Sequence, residues 1–261
     1  MEESSGNGQE ESDGDEDEEM DAEGEKEEES YEGEELEEDM EEVTESDNGE
    51  EEEVDREVAR RAEQRRNALF HSLSTDSNNS LSDWSPHRYL CNWTGVACSS
   101  RHQRVVSLNL TAMSVAGTIS PFLGNLSFLR VLALKNNSFH DHIPFQLGKL
   151  FRLRILRLSK NKLEGSIPST LANCHSLQRL ILSFNLLNGS IPSQLGLLSH
   201  LEMLALGVNR LTGIIPPSLG NLSSLVDLEL GENELYGDIP FELGMLTQFK
   251  VLFLHFNNLT E

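Results

Sequence analysis

The residues of this 261-residue chain with the capacity for chemistry are few: three cysteines, eight histidines and scattered carboxylates. Cys91 and Cys98, with six residues between them, could supply half of a zinc site, but no second pair completes the four ligands that such a site needs. Cys174 stands alone in Leu171-Ala172-Asn173-Cys174 and is read as a buried free thiol. Only His140 and His142 are close together, flanking Asp141 in a turn, which is too few donors for a metal centre. No Gly-rich phosphate loop, Gly-x-Ser-x-Gly elbow or kinase signature occurs, and no nucleophile is set beside a base. The chain is therefore expected to be no enzyme and to need no cofactor, and its function is sought in binding.

What must position a binding surface is a repeat. Val105, Leu129, Leu153, Leu177, Leu201, Leu225 and Phe249 recur every 24 residues. Each is followed three and five positions later by an apolar residue, as in Leu156 and Leu158 or Leu180 and Leu182. That two-residue alternation predicts a short strand with one buried face. An Asn stands eight residues into every unit from the second onward, at Asn137, Asn161, Asn185, Asn209, Asn233 and Asn257, while the first unit has Met113. An inward-turned Asn carries both donor and acceptor, so it can satisfy backbone groups where a strand bends away. Gly117, Gly165, Gly189, Gly213 and Gly237 follow, usually with Ile-Pro two residues on. They predict one turn at the same point of each coil, with Asp141 tolerating the left-handed geometry in the second unit.

Charge divides the chain. Residues 1–66 hold 33 of the 45 Asp and Glu but 6 of the 20 Lys and Arg, whereas residues 67–261 hold 12 acids and 14 bases. The leader, 1–54, is expected to be disordered, because runs such as Glu16-Asp17-Glu18-Glu19 repel one another and bury little. Acidic residues also occupy the place of a secretory signal's apolar run, and no stretch is apolar enough to cross a membrane as a helix.

The wording L-x-x-L-x-L-x-x-N-x-L-x-G-x-I-P-x-x-L-G-x-L closely resembles the plant-specific leucine-rich repeat. Upstream, Leu81-Ser82-Asp83-Trp84 and Cys91-Asn92-Trp93-Thr94-Gly95-Val96-Ala97-Cys98 look like the N-terminal cap of plant leucine-rich-repeat receptor-like kinases. The resemblance implies an α/β repeat fold, a right-handed solenoid with a parallel concave sheet and an irregular or 3-10 convex side. It also implies a Cys91–Cys98 disulfide and tryptophans that cover the first repeat. Closing so short a loop would stabilise by roughly 2 kcal/mol on the chain-entropy model. The expected boundaries are a leader at 1–54, a cap with a preceding helix at 55–103, and about seven repeats at 104–261, the last incomplete. The preceding helix, Asp55 to Leu73, is rich in Arg, with Ala68, Leu69, Phe70 and Leu73 as packing residues.

In that register the concave face carries a basic ridge of Lys135, Arg157, Lys160 and Arg179. An apolar strip of Ile181, Phe184, Met203 and Val208 follows, then the acids Asp227, Glu229 and Glu232, and then Phe253, His255 and Phe256. Charge changes sign along the groove, and aromatic and Arg residues are the usual energetic anchors of an interface. Seven strands at about 4.8 Å span roughly 30 Å, enough for an extended peptide. A groove of mixed charge is not that of a nucleic-acid binder.

Asn-x-Ser/Thr occurs at Asn78, Asn92, Asn109, Asn125, Asn136, Asn188, Asn221 and Asn258. Asn92, Asn125, Asn188 and Asn221 are the candidates for glycosylation, and a sugar on Asn109 would block the concave face. Sequons and paired cysteines point outside the cell. The leader points inside, and it is expected to replace an original signal peptide through a fusion or an incorrect gene model. Three function classes follow. By resemblance the chain is a truncated ectodomain of a receptor-like kinase in defence or development signalling. It would bind a peptide or protein ligand, with a co-receptor ectodomain as a second partner, at the outer face of the plasma membrane. The second class is a secreted polygalacturonase-inhibitor-like protein, disfavoured because no second cysteine-bearing cap is seen. The third is an intracellular acidic interaction protein that binds basic partners through the leader.

Overall fold

A computed structural model describes residues 75–76, 81–85, 87–101 and 103–260, all within one compact unit, Asp47–Glu261. The expected leader, the expected helix at Asp55 to Leu73 and Asn78 lie outside the described residues. Each 24-residue coil contributes a short concave strand, an outer strand and a 3-10 turn. The concave strands are Val105–Asn109, Val131–Ala133, Ile155–Arg157, Arg179–Ile181, Met203–Ala205, Asp227–Glu229 and Val251–Phe253. They pair in parallel with equivalent residues aligned, Leu156 opposite Leu180 and Leu180 opposite Leu204. The apolar alternation drives this arrangement, since in the fourth repeat Leu177, Leu180, Leu182, Leu187, Ile191, Leu195 and Leu198 are all buried. Full burial of each such side chain stabilises by about 1.5–3 kcal/mol.

The expected 3-10 turns close each coil, as at Ser169–Asn173 and Ser193–Leu197. A second sheet lies between strand and turn, beyond what the repeat pattern indicated. Its strands are Val115–Thr118, Ser138–His142, Lys162–Ser166, Leu186–Ser190, Arg210–Gly213, Glu234–Asp238 and Asn258–Thr260, again parallel. Here residues pair at a separation of 22 rather than 24, Gly165 opposite Leu187 and Gly189 opposite Leu211, so the ladder slides two residues per coil. A slide of two keeps every side chain on its own face.

The six asparagines tie the two sheets together. Asn185 Oδ1 accepts from Leu163 N at 3.0 Å, and its Nδ2 donates to Leu158 O at 3.1 Å and Leu182 O at 2.9 Å. The same set recurs at Asn161, Asn209 and Asn233. The acceptor bond also spans 22 residues, so each amide fixes the backbone entering the preceding coil's outer strand. Gly165, Gly189, Gly213 and Gly237 then take φ between +74° and +85°, and Asp141 takes the same region at 69°.

The open end of both sheets is covered. Val96–Cys98 pairs antiparallel with Val105–Asn109, and Thr75–Asp76 pairs antiparallel with Val115–Thr118, so neither first strand is left as a free edge. Trp84 stacks on Trp93 with ring centroids 5.2 Å apart, and both join the core. Asp83 Oδ2 accepts from Thr94 N at 2.8 Å and from Thr94 Oγ1 at 2.9 Å, while Trp84 Nε1 donates to Thr94 O. Cys91 and Cys98 form the disulfide that the resemblance implied.

Candidate functional site

Strand register sorts the concave candidates into rows. Arg179, Met203 and Asp227 stand side by side in one row, and Arg157, Ile181, Ala205, Glu229 and Phe253 in the next. Lys160, Phe184, Val208, Glu232 and Phe256 form a third row just past the strands, and every one has a positive φ, between 54° and 61°. Sequence reasoning did not find that strain, because no glycine marks it. Left-handed geometry costs an ordinary residue roughly 1–2 kcal/mol, and the repeat meets this cost through a fixed backbone bond. Lys160 N donates to Ser183 O, Phe184 N to Gly207 O, Val208 N to Gly231 O and Glu232 N to His255 O. The row is thus held at a set height above the groove. Lys135 and His255 occupy a fourth row at opposite ends, separated by the buried Ser159, Ser183, Gly207 and Gly231.

The rows leave two neighbourhoods. Lys160 Nζ lies 5.5 Å from the centre of the Phe184 ring, joining the basic ridge to the apolar strip. Phe184 is 50% exposed. Met203 and Ile181, in the first and second rows of the same stretch of groove, are half-buried. At the far end His255 packs edge-on against Phe253 at 6.0 Å and Phe256 at 5.2 Å, and its Nε2 is 4.0 Å from Glu232 Oε1. Phe256 is 79% exposed, the most open aromatic of the groove.

One set of cations went unnoticed in the sequence. Arg104, Phe128 and Arg152 stand 24 residues apart, each immediately before its coil's first Leu or Val. Both guanidiniums lie on the Phe128 ring, at 4.0 and 4.4 Å from its centre. Arg130 and Arg154 open the adjoining concave strands, Arg154 N donating to Arg130 O. The repeat spacing itself was the signal that could have revealed them.

Elsewhere, Asn92, Asn125, Asn188 and Asn221 are exposed and off the concave strands, on 3-10 turns or, for Asn188, on the outer sheet. Asn109 is exposed on the first concave strand. His142 bonds to Asp141 through Nδ1 and through its backbone N–H, holding that carboxyl below its usual range. Among the described residues, no group of three His, Cys, Asp or Glu could hold a metal. An open groove of about 1010 Å³ runs along the Ile-Pro segments, lined by residues such as Pro144, Phe145, Pro168, Pro192 and Ile214. None of the concave candidates lines it, whereas Gly189 and Ser190 of the Asn188 sequon do.

Cys174 is a buried free thiol at the end of a 3-10 turn, its Sγ directed at Leu147 O. Burial pushes its pKa up to about 11 from 9.0. The thiol therefore stays protonated while the unfolded chain would already ionise, so its contribution to stability is complete below pH 9 and is lost as pH rises through 11. Native protein at pH 8 is expected to resist iodoacetamide at Cys174 and to react only after denaturant is added, as read by peptide mass. Rapid native labelling would show the turn opening locally.

A family model described as a leucine-rich repeat region matches residues 104–261, and one described as a leucine rich repeat N-terminal domain matches 67–99. The chain belongs to the leucine-rich-repeat family, with a capped solenoid of the plant type. Its relatives are plant leucine-rich-repeat receptor-like kinases. Over 64 residues it is 52% identical to the LRR receptor-like serine/threonine-protein kinase EFR of Arabidopsis thaliana, an overlap of 24% of this chain and 6% of that protein. The match spans 6% to 14% of the length of the curated relatives, so the chain corresponds to a small part of each.

Among solved structures it is similar to the Arabidopsis receptor kinase HAESA in complex with the peptide hormone IDA and the co-receptor SERK1. That match has 38% identity and a TM-score of 0.68, and covers 75% of this chain and 33% of HAESA. A plant ice-binding protein is also similar, at 32% identity and a TM-score of 0.67, over 74% of this chain and 63% of that one. One coil geometry thus serves unrelated tasks, so function has to be argued from the groove.

Proposed function

We propose that the concave face binds an extended peptide or protein segment, as the ligand-sensing part of a receptor-type module acting outside the cell in defence or development signalling. A co-receptor ectodomain is the second partner in this reading. The observation that carries it is the third row, where Lys160, Phe184, Glu232 and Phe256 are held in strained left-handed backbone that projects aromatic and charged side chains into an open groove. Strain of this kind collects where a surface is used. The complex of HAESA with IDA and SERK1 supports a peptide as ligand and a second ectodomain as partner. The disulfide and the exposed sequons support the location outside the cell.

The test is to pan the full chain against a displayed library of linear peptides and to measure the selected peptides again on Phe184→Ala and Phe256→Ala variants. Aromatic anchors of an interface contribute about 2 kcal/mol or more, so affinity should fall roughly thirtyfold. Peptides that bind both variants as well as the parent chain would place recognition off the concave face and overturn the proposal.

A further inference from the structure

The bases and acids of the solenoid are segregated by coil. From Arg101 to Arg179 there are eleven Lys and Arg against two Asp and Glu, and from residue 180 to Glu261 there are two against eight. The concave rows carry the same order. Arg157, Lys160 and Arg179 occupy the third and fourth coils, Ile181, Phe184, Met203 and Val208 the fourth and fifth, and Asp227, Glu229 and Glu232 the sixth.

The basic end extends beyond the groove floor. The Phe128 ring holds Arg104 and Arg152 against its faces, and Arg130 and Arg154 open the adjoining strands about 4.8 Å apart. Among the described residues, no hydrogen bond or ion pair joins the side chains of these four arginines, Arg157 or Arg179 to an acid. Asp227 and Glu229 likewise have no cationic partner, and Glu232 has only His255. Stacking on an aromatic ring fixes a guanidinium while leaving its N–H edge free for an anion. Fixed, unneutralised charge of one sign at each end, with an apolar floor between, favours a ligand of the opposite order.

We infer that the ligand is an extended peptide with an acidic segment, an apolar middle and a basic segment, lying with its acidic part over the first four coils and its basic part over the sixth. This rests on the concave-face reading above and gives it a ligand class. A groove of ~30 Å at ~3.3 Å per residue accommodates roughly nine residues in contact.

The probes are two synthetic peptides of identical composition, one with acidic, apolar and basic residues in blocks and one with the charges alternating. Binding to the full chain is measured by fluorescence anisotropy at near-physiological salt. The block peptide is expected to bind about tenfold tighter than its isomer. Arg157→Glu with Arg179→Glu should remove that preference, as should Glu229→Lys with Glu232→Lys. A photo-crosslinker at the acidic end should label the second to fourth coils of the parent chain, with thermal melts confirming that each variant folds.

Equal binding of the two isomers, or no saturable binding of the block peptide, overturns the inference while leaving a concave ligand of another kind. Crosslinks that fall on the outer sheet overturn the concave-face reading itself.

Discussion

Asn185→Ala is expected to destabilise the solenoid by about 2–4 kcal/mol, most of it from one orphaned backbone donor. Asn185 is 7% exposed, and its amide satisfies Leu163 N, Leu158 O and Leu182 O at once. Truncation leaves the Leu163 N–H without a partner, at about 1–3 kcal/mol, and takes one of two amide donors from Leu158 O and Leu182 O, which keep Asn161 Nδ2 and Asn209 Nδ2. Asn185→Asp separates the terms, because it retains the acceptor for Leu163 N and loses both donor bonds while adding a charge. It should be at least as damaging near neutral pH.

The measurement is denaturant unfolding of the single variants, with native-state amide exchange to locate the loss. Exchange should quicken first at Leu163 N and in the neighbouring outer strands, because the bond to Asn185 is what holds the backbone there. A loss below about 1 kcal/mol would show that water replaces the amide, and the asparagine column would then be a packing feature only.

Much of this architecture was legible in the sequence, and the reason is that repetition averages out local ambiguity. A single Leu-x-x-Leu-x-Leu segment could be helix or strand, but a column at an invariant 24-residue spacing admits only a stack of like coils. Asn185 and Asn233 could be assigned their backbone roles because their chemistry is unusual at a buried position. Gly165 and Asp141 announced their turns because few residues tolerate that geometry. The second sheet was not legible, since Lys162–Ser166 and Leu186–Ser190 are half exposed and their ladder slides by two residues per coil, which no column of identical residues records.

The groove was legible in part. Arg157, Phe184 and Glu229 follow from register alone, whereas the left-handed backbone under Phe184 and Val208 left no glycine to betray it. Arg104 and Arg152 lie off the strand positions that the repeat marks, and their role depends on a ring from the coil between them. Side-chain stacking across coils is a property of the assembled surface, not of any one repeat.

Trp93→Ala should cost about 3–5 kcal/mol, the range for truncating a fully buried aromatic, but the loss should be felt at one end. Trp93 is 1% exposed and stacks on Trp84, and together they roof the first coil, where Leu108 and Leu110 would otherwise meet solvent. In a solenoid each coil touches only its neighbours, so removing the roof lets the end fray before the middle responds. Amide exchange should rise in Val105–Asn109 and Val115–Thr118 and stay near the parent rate in Asp227–Glu229. Trp93→Phe, which retains a ring for Trp84 to stack on, should recover much of the loss.

The prediction also constrains function. The arginines on Phe128 belong to the first three coils, so fraying should weaken binding of an acidic segment before it affects contacts at Phe253 and Phe256. A uniform rise in exchange along all seven coils would mean instead that the chain opens as one cooperative unit, and the cap would then have no separate influence on the basic end of the groove.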